Sequence, residues 1–372
     1  MQTRTAKLAI KIGLTVAALA WVALKVRWSD IVEAVTRVSL GTWVLVWGGF
    51  VAGHALGVFK WRYNVNLGIG SPRARLGALD AAQCYSAGMF ANLCLPSIVG
   101  GDAIKALLAA RVTGRAEASV LGGLTERLID TFALLVLIVI GALWSSAAMP
   151  GWAQSVVQVG ALLAAVGALV ALPLLLRRKL ERWPRKLRGT IGRALVSMRR
   201  LASRPSRALV VLALSLAIQG WFVLLNRELG RAIGIEAPLA VWFFAVPMTK
   251  AITLAPLSVG GLGLREVTLA GFLGAMASVA QQDGVAASLL WQSVLIATGL
   301  LGGVLWFVLG YRDGARTGAG RDSLLALESK QPPARSRSAR FKYEAFPCVT
   351  RLTLRSAFGG ISLPISHVSF SS

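Results

Sequence analysis

The chain has 372 residues, of which 55% are hydrophobic and 15% charged, and its mean hydropathy is +0.65. Soluble domains carry roughly a quarter charged residues, so this composition excludes an ordinary soluble protein and points to a helical membrane protein. The formal net charge of +24, from 40 basic and 16 acidic residues, would suggest nucleic acid in a soluble chain. Here the basic residues cluster between apolar segments, where they set topology and meet anionic headgroups, so no nucleic-acid partner is expected.

In chain order the apolar segments read as about 8–24, 41–59, 78–95, 97–110, 118–144, 155–176, 208–226, 239–256, 265–281 and 285–310. Most are long enough to cross a hydrocarbon core of ~30 Å. They are continuously apolar rather than alternating, which excludes a β-barrel. The first segment has the length of a signal peptide. No small-residue cleavage site follows it, and Trp21, Lys25, Arg27 and Trp28 make an interfacial anchor, so it is read as a membrane helix. Segment 97–110 is short and fits half a helix or one arm of a re-entrant hairpin.

Lysine and arginine orient the chain. The loop Arg177 to Arg207 holds twelve basic residues against Glu181 alone, which places it in the cytoplasm. The uncharged loop Ser145 to Gln154, the balanced loop Arg227 to Ala237 and the link around Asp283 fit the outside, and the basic link Lys60 to Arg75 fits the inside. Both termini are then cytoplasmic. From residue 312 onward there are ten basic and four acidic side chains and no apolar periodicity, so 313–372 reads as a disordered basic cytoplasmic tail. Cys84, Cys94 and Cys348 match no metal or redox spacing.

Two stretches repeat. "PSIVGGDAIK", Pro96 to Lys105, and "PLSVGGLGLR", Pro256 to Arg265, align at an offset of 160 residues. The alignment matches Pro96 with Pro256, Val99 with Val259, Gly100 with Gly260, Gly101 with Gly261 and Lys105 with Arg265. Neighbouring segments follow the same offset, giving repeat 1 over about 8–144 and repeat 2 over about 155–310. Five segments per repeat is an odd number, so the two copies run in opposite orientations. The fold class expected is an all-α polytopic membrane protein with about 8–10 membrane segments in two inverted repeats, each with a broken or re-entrant helix. In secondary transporters of this kind the site lies at the repeat interface, on helices interrupted by Gly or Pro at matching positions.

Three groups carry the candidate chemistry. In the first, Pro96 removes a backbone N–H, Gly100 and Gly101 permit non-helical geometry, and a helix restarts whose free N–H groups suit a phosphate. Lys105 adds a point charge about one turn in, Asn92 can bond the freed backbone, and Asp102 reads equally as a helix cap. In the second, Pro256, Gly260, Gly261 and Gly263 supply the break and Ser258 a hydroxyl. Arg265 can grip a phosphate in bidentate fashion, and Glu266 is its neighbour or a proton-linked partner. The plainer alternative is a cytoplasmic loop with a topogenic arginine. In the third, Glu126, Arg127 and Asp130 share helical spacings, and if Ala118 lies at the interface Glu126 is about 12 Å deeper at ~1.5 Å per residue. Charges at that depth pair with one another or with a group such as Lys105 or Arg265. Lys11 snorkels, His54 reads as structural, and Lys250, just before the second break, is a weaker site candidate. No catalytic constellation, metal cluster or cofactor motif stands out, so the protein is not expected to be an enzyme.

These motifs, in this order, resemble the flippase-like membrane domain of the lysylphosphatidylglycerol synthetases, over about residues 8–312. That domain also occurs alone, in bacterial and archaeal membrane proteins. The resemblance rests on Asn92, Pro96, Gly100, Gly101, Asp102 and Lys105; on Arg127 and Asp130; and on Pro256, Ser258, Gly260, Gly261, Gly263, Arg265 and Glu266. Lys105 departs from the arginine more usual there. The aminoacyl-transferring domain is absent, so lysyl transfer is not implied. What the resemblance implies is translocation of an anionic phospholipid or lipid-linked glycan precursor across a bacterial inner membrane. The headgroup would be held at the two breaks, and the 126–130 cluster would balance charge or carry a proton. The alternatives are a non-catalytic accessory subunit of lipid, hopanoid or glycan assembly, and a membrane transferase.

Overall fold

The computed structural model describes residues 28–69, 75–94, 98–145, 205–254 and 261–328. The predicted segments 8–24 and 155–176, the basic loop between Arg177 and Arg204, and the chain after Glu328 lie outside the described residues. So does the join between the two predicted repeats. The chain divides into two units, Met1–Ala315 and Arg316–Ser372, and the packing of helices on one another belongs to the first.

All the described elements are helices: α1 Trp28–Thr36, α2 Leu40–Ile69, α3 Ala78–Cys94, α4 Ile98–Thr113, α5 Ala116–Trp144, α6 Pro205–Ala232, α7 Leu239–Leu254, α8 Leu264–Ala277 and α9 Gln281–Glu328. The protein is an all-α polytopic membrane protein. Among the described residues four helices are long and apolar enough to cross a membrane, Leu40–Ile69, Ala116–Trp144, Ser206–Ala232 and Gln281–Gly310. By contrast α3, α4, α7 and α8 have 17, 16, 16 and 14 residues. At ~1.5 Å per residue each falls short of a ~30 Å core.

The short helices come as two broken pairs. In the first, Gly88 of α3 lies against Gly101 and Lys105 of α4: a Cβ on Gly88 would sit 2.9 Å from the Gly101 carbonyl oxygen and 3.2 Å from Lys105 Cβ. Contacts between 88 and 105 and between 92 and 101 mean that α4 folds back along α3, as a helical hairpin. The second pair, α7 and α8, packs together in the same way in sequence order, with Gly261 beside Thr253. Its turn needs glycine. Gly261 and Gly263 have φ of +80° and +76°, a region closed to most side chains, and Gly263 is the residue from which α8 starts. If each hairpin counts as re-entrant, every predicted repeat still has an odd number of crossings, so opposite orientation of the two copies is retained.

The same order occurs twice: a long helix, a hairpin of two short helices, a long helix. The halves also interlock in matching places. Gly141 near the end of α5 rests on the backbone of Phe243 and Phe244 in α7. Gly302 of α9 rests on α3, where a Cβ would meet the Ser86 carbonyl oxygen at 2.9 Å and Met89 Cβ at 3.0 Å. Pro247 inside α7 deprives the Phe243 carbonyl of its helical donor, and that carbonyl is the one Gly141 faces. Small residues at such crossings let backbones approach, which is how membrane helices associate. The larger core cluster is built from α1, α2, α5, α6, α7, α8 and α9 around Phe50, Trp242, Phe244 and Leu273; a smaller one holds Trp61, Val65, Leu76, Ala81, Cys84 and Ala109.

Three expectations are corrected. Trp28, expected as part of an interfacial anchor, is also the first residue of a helix that the apolar segments did not include. Alpha-1 is amphipathic, with Ile31 and Ala34 buried in the main core and Glu33 paired outward to Arg37 at 2.9 Å. Second, α2 does not stop near residue 59 but runs on to Ile69, because Lys60, Trp61, Asn64 and Val65 are buried. Lys60 is therefore not part of a basic cytoplasmic link. Third, α9 continues helical through 313–328, which the sequence reading assigned to a disordered tail.

Adjacent glycines on α5 give a direct test of this packing. A Cβ on Gly122 would lie 2.8 Å from Val65 Cα, whereas one on Gly123 would meet only Ala106 Cβ, at 3.9 Å. Gly122→Ala is expected to cost about 1–3 kcal/mol by overpacking against backbone. Gly123→Ala should stay within about 0.5 kcal/mol of wild type or gain slightly in helix propensity. Thermal unfolding of the two variants in detergent checks the contrast, and equal melting temperatures would contradict the α2–α5 contact.

Candidate functional site

Both hairpins border one cavity of about 460 Å³. From the first it takes Asn92 and Leu93 at the end of α3, and Asp102 and Lys105 on α4. From the second it takes Thr253 and Leu254 at the end of α7, Gly261, and Arg265 on α8. The two basic residues matched at an offset of 160 thus face the same space. Helices α2, α5, α6 and α9 close it.

A chain of ion pairs runs along one side. Lys105, 6% exposed, donates to Glu126 Oε2 at 2.8 Å and lies 3.4 Å from Asp102. Its ammonium also sits over the rings of Tyr85 and Trp61, at 4.8 and 5.2 Å from their centroids. Glu126, equally buried, reaches Lys60 at 3.9 Å with its other oxygen. Lys60 pairs in turn with Asp130, which also accepts from Ser215 Oγ at 2.7 Å. Arg127 turns to Asp102, at 3.3 Å. Arg127 and Asp130, three residues apart on α5, each have a partner on another helix. One turn apart on α5, Glu126 and Asp130 share the Lys60 ammonium, so α2, α4 and α5 are tied together by charge.

The first break behaves locally as a capped helix start. Asn92 Oδ1 accepts from the Gly101 N–H at 3.0 Å, satisfying a donor in the first turn of α4. At the second break, Arg265 donates to Glu266 Oε1 at 2.9 Å and to Ser288 Oγ at 3.3 Å. Glu266 is 3% exposed, and its Oε2 has no hydrogen-bond partner among the described residues. Gly100 lies in the first turn of α4. Pro96, Pro256, Ser258 and Gly260 lie outside the described residues.

Part of the lining is aromatic. Phe50 packs on Phe222 and Trp291 with ring centroids 4.4 and 4.8 Å away, and all three line the cavity. His54 stands edge-on to Phe50 at 4.6 Å and shares a 3.2 Å hydrogen bond with Tyr85 Oη. The cavity is therefore amphipathic, lined by both ion pairs and aromatic rings.

Four lining residues of consequence escaped the sequence reading as site members: Lys60, Ser215, Gln219 and Asn226. The last three carried a readable signal, since 215, 219 and 226 mark one face of the otherwise apolar stretch 208–226 of α6. Gln219 donates to the Asp130 carbonyl oxygen at 2.9 Å and accepts from Lys250 Nζ at 3.4 Å. Lys250, the weaker candidate, thus lines the cavity as fully as the residues ranked above it.

No curated protein and no solved structure is significantly similar to the chain. A family profile described as the lysylphosphatidylglycerol synthase TM region matches residues 8–303, about four-fifths of the sequence and every described element of the cavity. The chain belongs to that family of membrane regions.

Proposed function

We propose that the protein carries an anionic amphiphile, an anionic phospholipid or a lipid-linked glycan precursor, across the bacterial inner membrane, without making or breaking a covalent bond in it. The observation that supports this most is the single amphipathic cavity bordered by the breaks of both halves, with Lys105 and Arg265 on its wall. Pockets of a few hundred Å³ with a few convergent polar groups are the usual form of small-ligand sites. Alternating access follows from one half rocking on the other about the glycine contacts of α5 on α7 and α9 on α3. Lys105 and Arg265 are already paired, to Glu126 and Glu266. They shape the field in the cavity and orient the headgroup, and they need not carry its charge alone.

Reconstitution tests the reading. The purified full chain in vesicles loaded with a fluorescent anionic phospholipid should move label from one leaflet to the other, as a dithionite-quenching assay reads, well above protein-free vesicles. Movement no faster than in protein-free vesicles would overturn the carrier and favour an accessory role in a larger assembly.

A further inference from the structure

Among the described residues the ions that line the cavity, with their partners, do not balance. Lys60 is matched by Asp130, Lys105 by Glu126, Arg127 by Asp102 and Arg265 by Glu266. Lys250 is a fifth cation lining the same cavity, and among the described residues it has no carboxylate within ion-pair distance. Its ammonium donates to the neutral side chain of Gln219, at 3.4 Å. The nearest turn of α7 adds Thr249, whose buried hydroxyl has no hydrogen-bond partner among the described residues. The histidine of the cavity, His54, is engaged with Tyr85. Lys250 is exposed and lines the cavity, so its ammonium is open to an anion that enters there.

We propose that Lys250 is the anchor of a site for one negative charge, and that the group it takes is the phosphodiester of a membrane phospholipid headgroup. Lysine binds phosphate as a point charge and needs no fork geometry, and the neighbouring Gln219 can donate or accept as the headgroup requires. A monoanionic phosphodiester brings the cavity to neutrality. A lipid pyrophosphate, with two or more charges, leaves it with excess negative charge among buried carboxylates. The lipid, rather than a soluble anion, is favoured by the wall of Phe50, Phe222 and Trp291 in the same cavity. The assignment of a lipid rests on the carrier reading above; the anion site does not.

Native mass spectrometry of the detergent-purified full chain tests it, since binding is read without transport. Wild type should bind short-chain phosphatidylglycerol more tightly than phosphatidylcholine or a prenyl pyrophosphate of similar length. Lys250→Gln should lower phosphatidylglycerol affinity roughly tenfold or more while Lys250→Arg retains it, because loss of one charged contact typically costs at least that factor. Lys250→Gln removes no ion pair, so its melting temperature should match wild type. Unchanged phosphatidylglycerol binding by a folded Lys250→Gln would overturn the site. Tighter binding of the pyrophosphate by wild type would overturn the single charge, and needs no variant. Glycerophosphoglycerol binding as tightly as the lipid would overturn the lipid source. Lipid that binds through Lys250 but is not moved in vesicles would sink the carrier alone; lipid moved equally by Lys250→Gln would sink the site alone.

Discussion

Glu126→Ala should destabilise the protein by about 3–5 kcal/mol, the cost typical of removing one partner from a buried ion pair. Glu126 is 6% exposed and its carboxylate serves two buried ammonium groups, Lys105 at 2.8 Å and Lys60 at 3.9 Å. Without it Lys105 keeps only Asp102, at 3.4 Å and partly exposed, and Lys60 keeps Asp130. The residual positive charge lies among apolar helices, where water cannot offset it. Lys105→Met alone should cost less, because Glu126 retains Lys60. The double variant Lys105→Met with Glu126→Leu should lie closer to wild type than Glu126→Ala does, since replacing both members of a buried pair with packed apolar groups is often close to neutral. Reversible unfolding in mixed micelles supplies the three free energies. A cost below about 1 kcal/mol for Glu126→Ala would mean that the pair is screened by water in the cavity, as exposed pairs are.

The network shows how far the sequence could be read. Glu126 was legible because a carboxylate deep in an apolar run must find a cation, and Lys105 was one of two cations that the repeat singled out. The breaks were legible as well, from glycines whose positive φ no other residue type tolerates easily, at Gly261 and Gly263. Lys60 was not. A lysine at the end of an apolar stretch looks the same whether it marks a cytoplasmic link or extends the helix into a buried pair. The partner that decides between these, Asp130, is 70 residues away. Alpha-1 was hidden for a related reason: among its described side chains only Ile31 and Ala34 are buried, too few to set a period against the flanking tryptophan and basic residues. Ser215 and Gln219 share a face of α6, but in a sequence with no visible partner such a stripe reads equally as helix packing. The four pairs and the one cation left over emerge only when α2, α4, α5, α6, α7 and α8 are brought around one space.

Gly101→Ala should lower stability by about 3 kcal/mol, near the top of the range for adding a methyl where backbone blocks relaxation. Sequence reasoning placed Gly101 at a headgroup site. Its surroundings give it a prior task. A Cβ there would collide with the Gly88 carbonyl oxygen and with Asn92 Oδ1, the atom that accepts from the Gly101 N–H. Gly88 cannot yield without moving α3, and Asn92 cannot yield without giving up the bond. The hairpin of α3 and α4 would open, and Lys105, one turn further along α4 and packed on Gly88, would shift from Glu126. Stability and lipid binding should therefore fall together in Gly101→Ala, whereas Lys250→Gln should lose binding at unchanged stability. Asn92→Ala should reproduce part of the loss, about 1 kcal/mol, as the removal of a helix-capping side chain does. Thermal unfolding and native mass spectrometry on the same preparations separate the two behaviours. Full stability in Gly101→Ala with lost binding would return that glycine to the ligand and remove it from the hairpin.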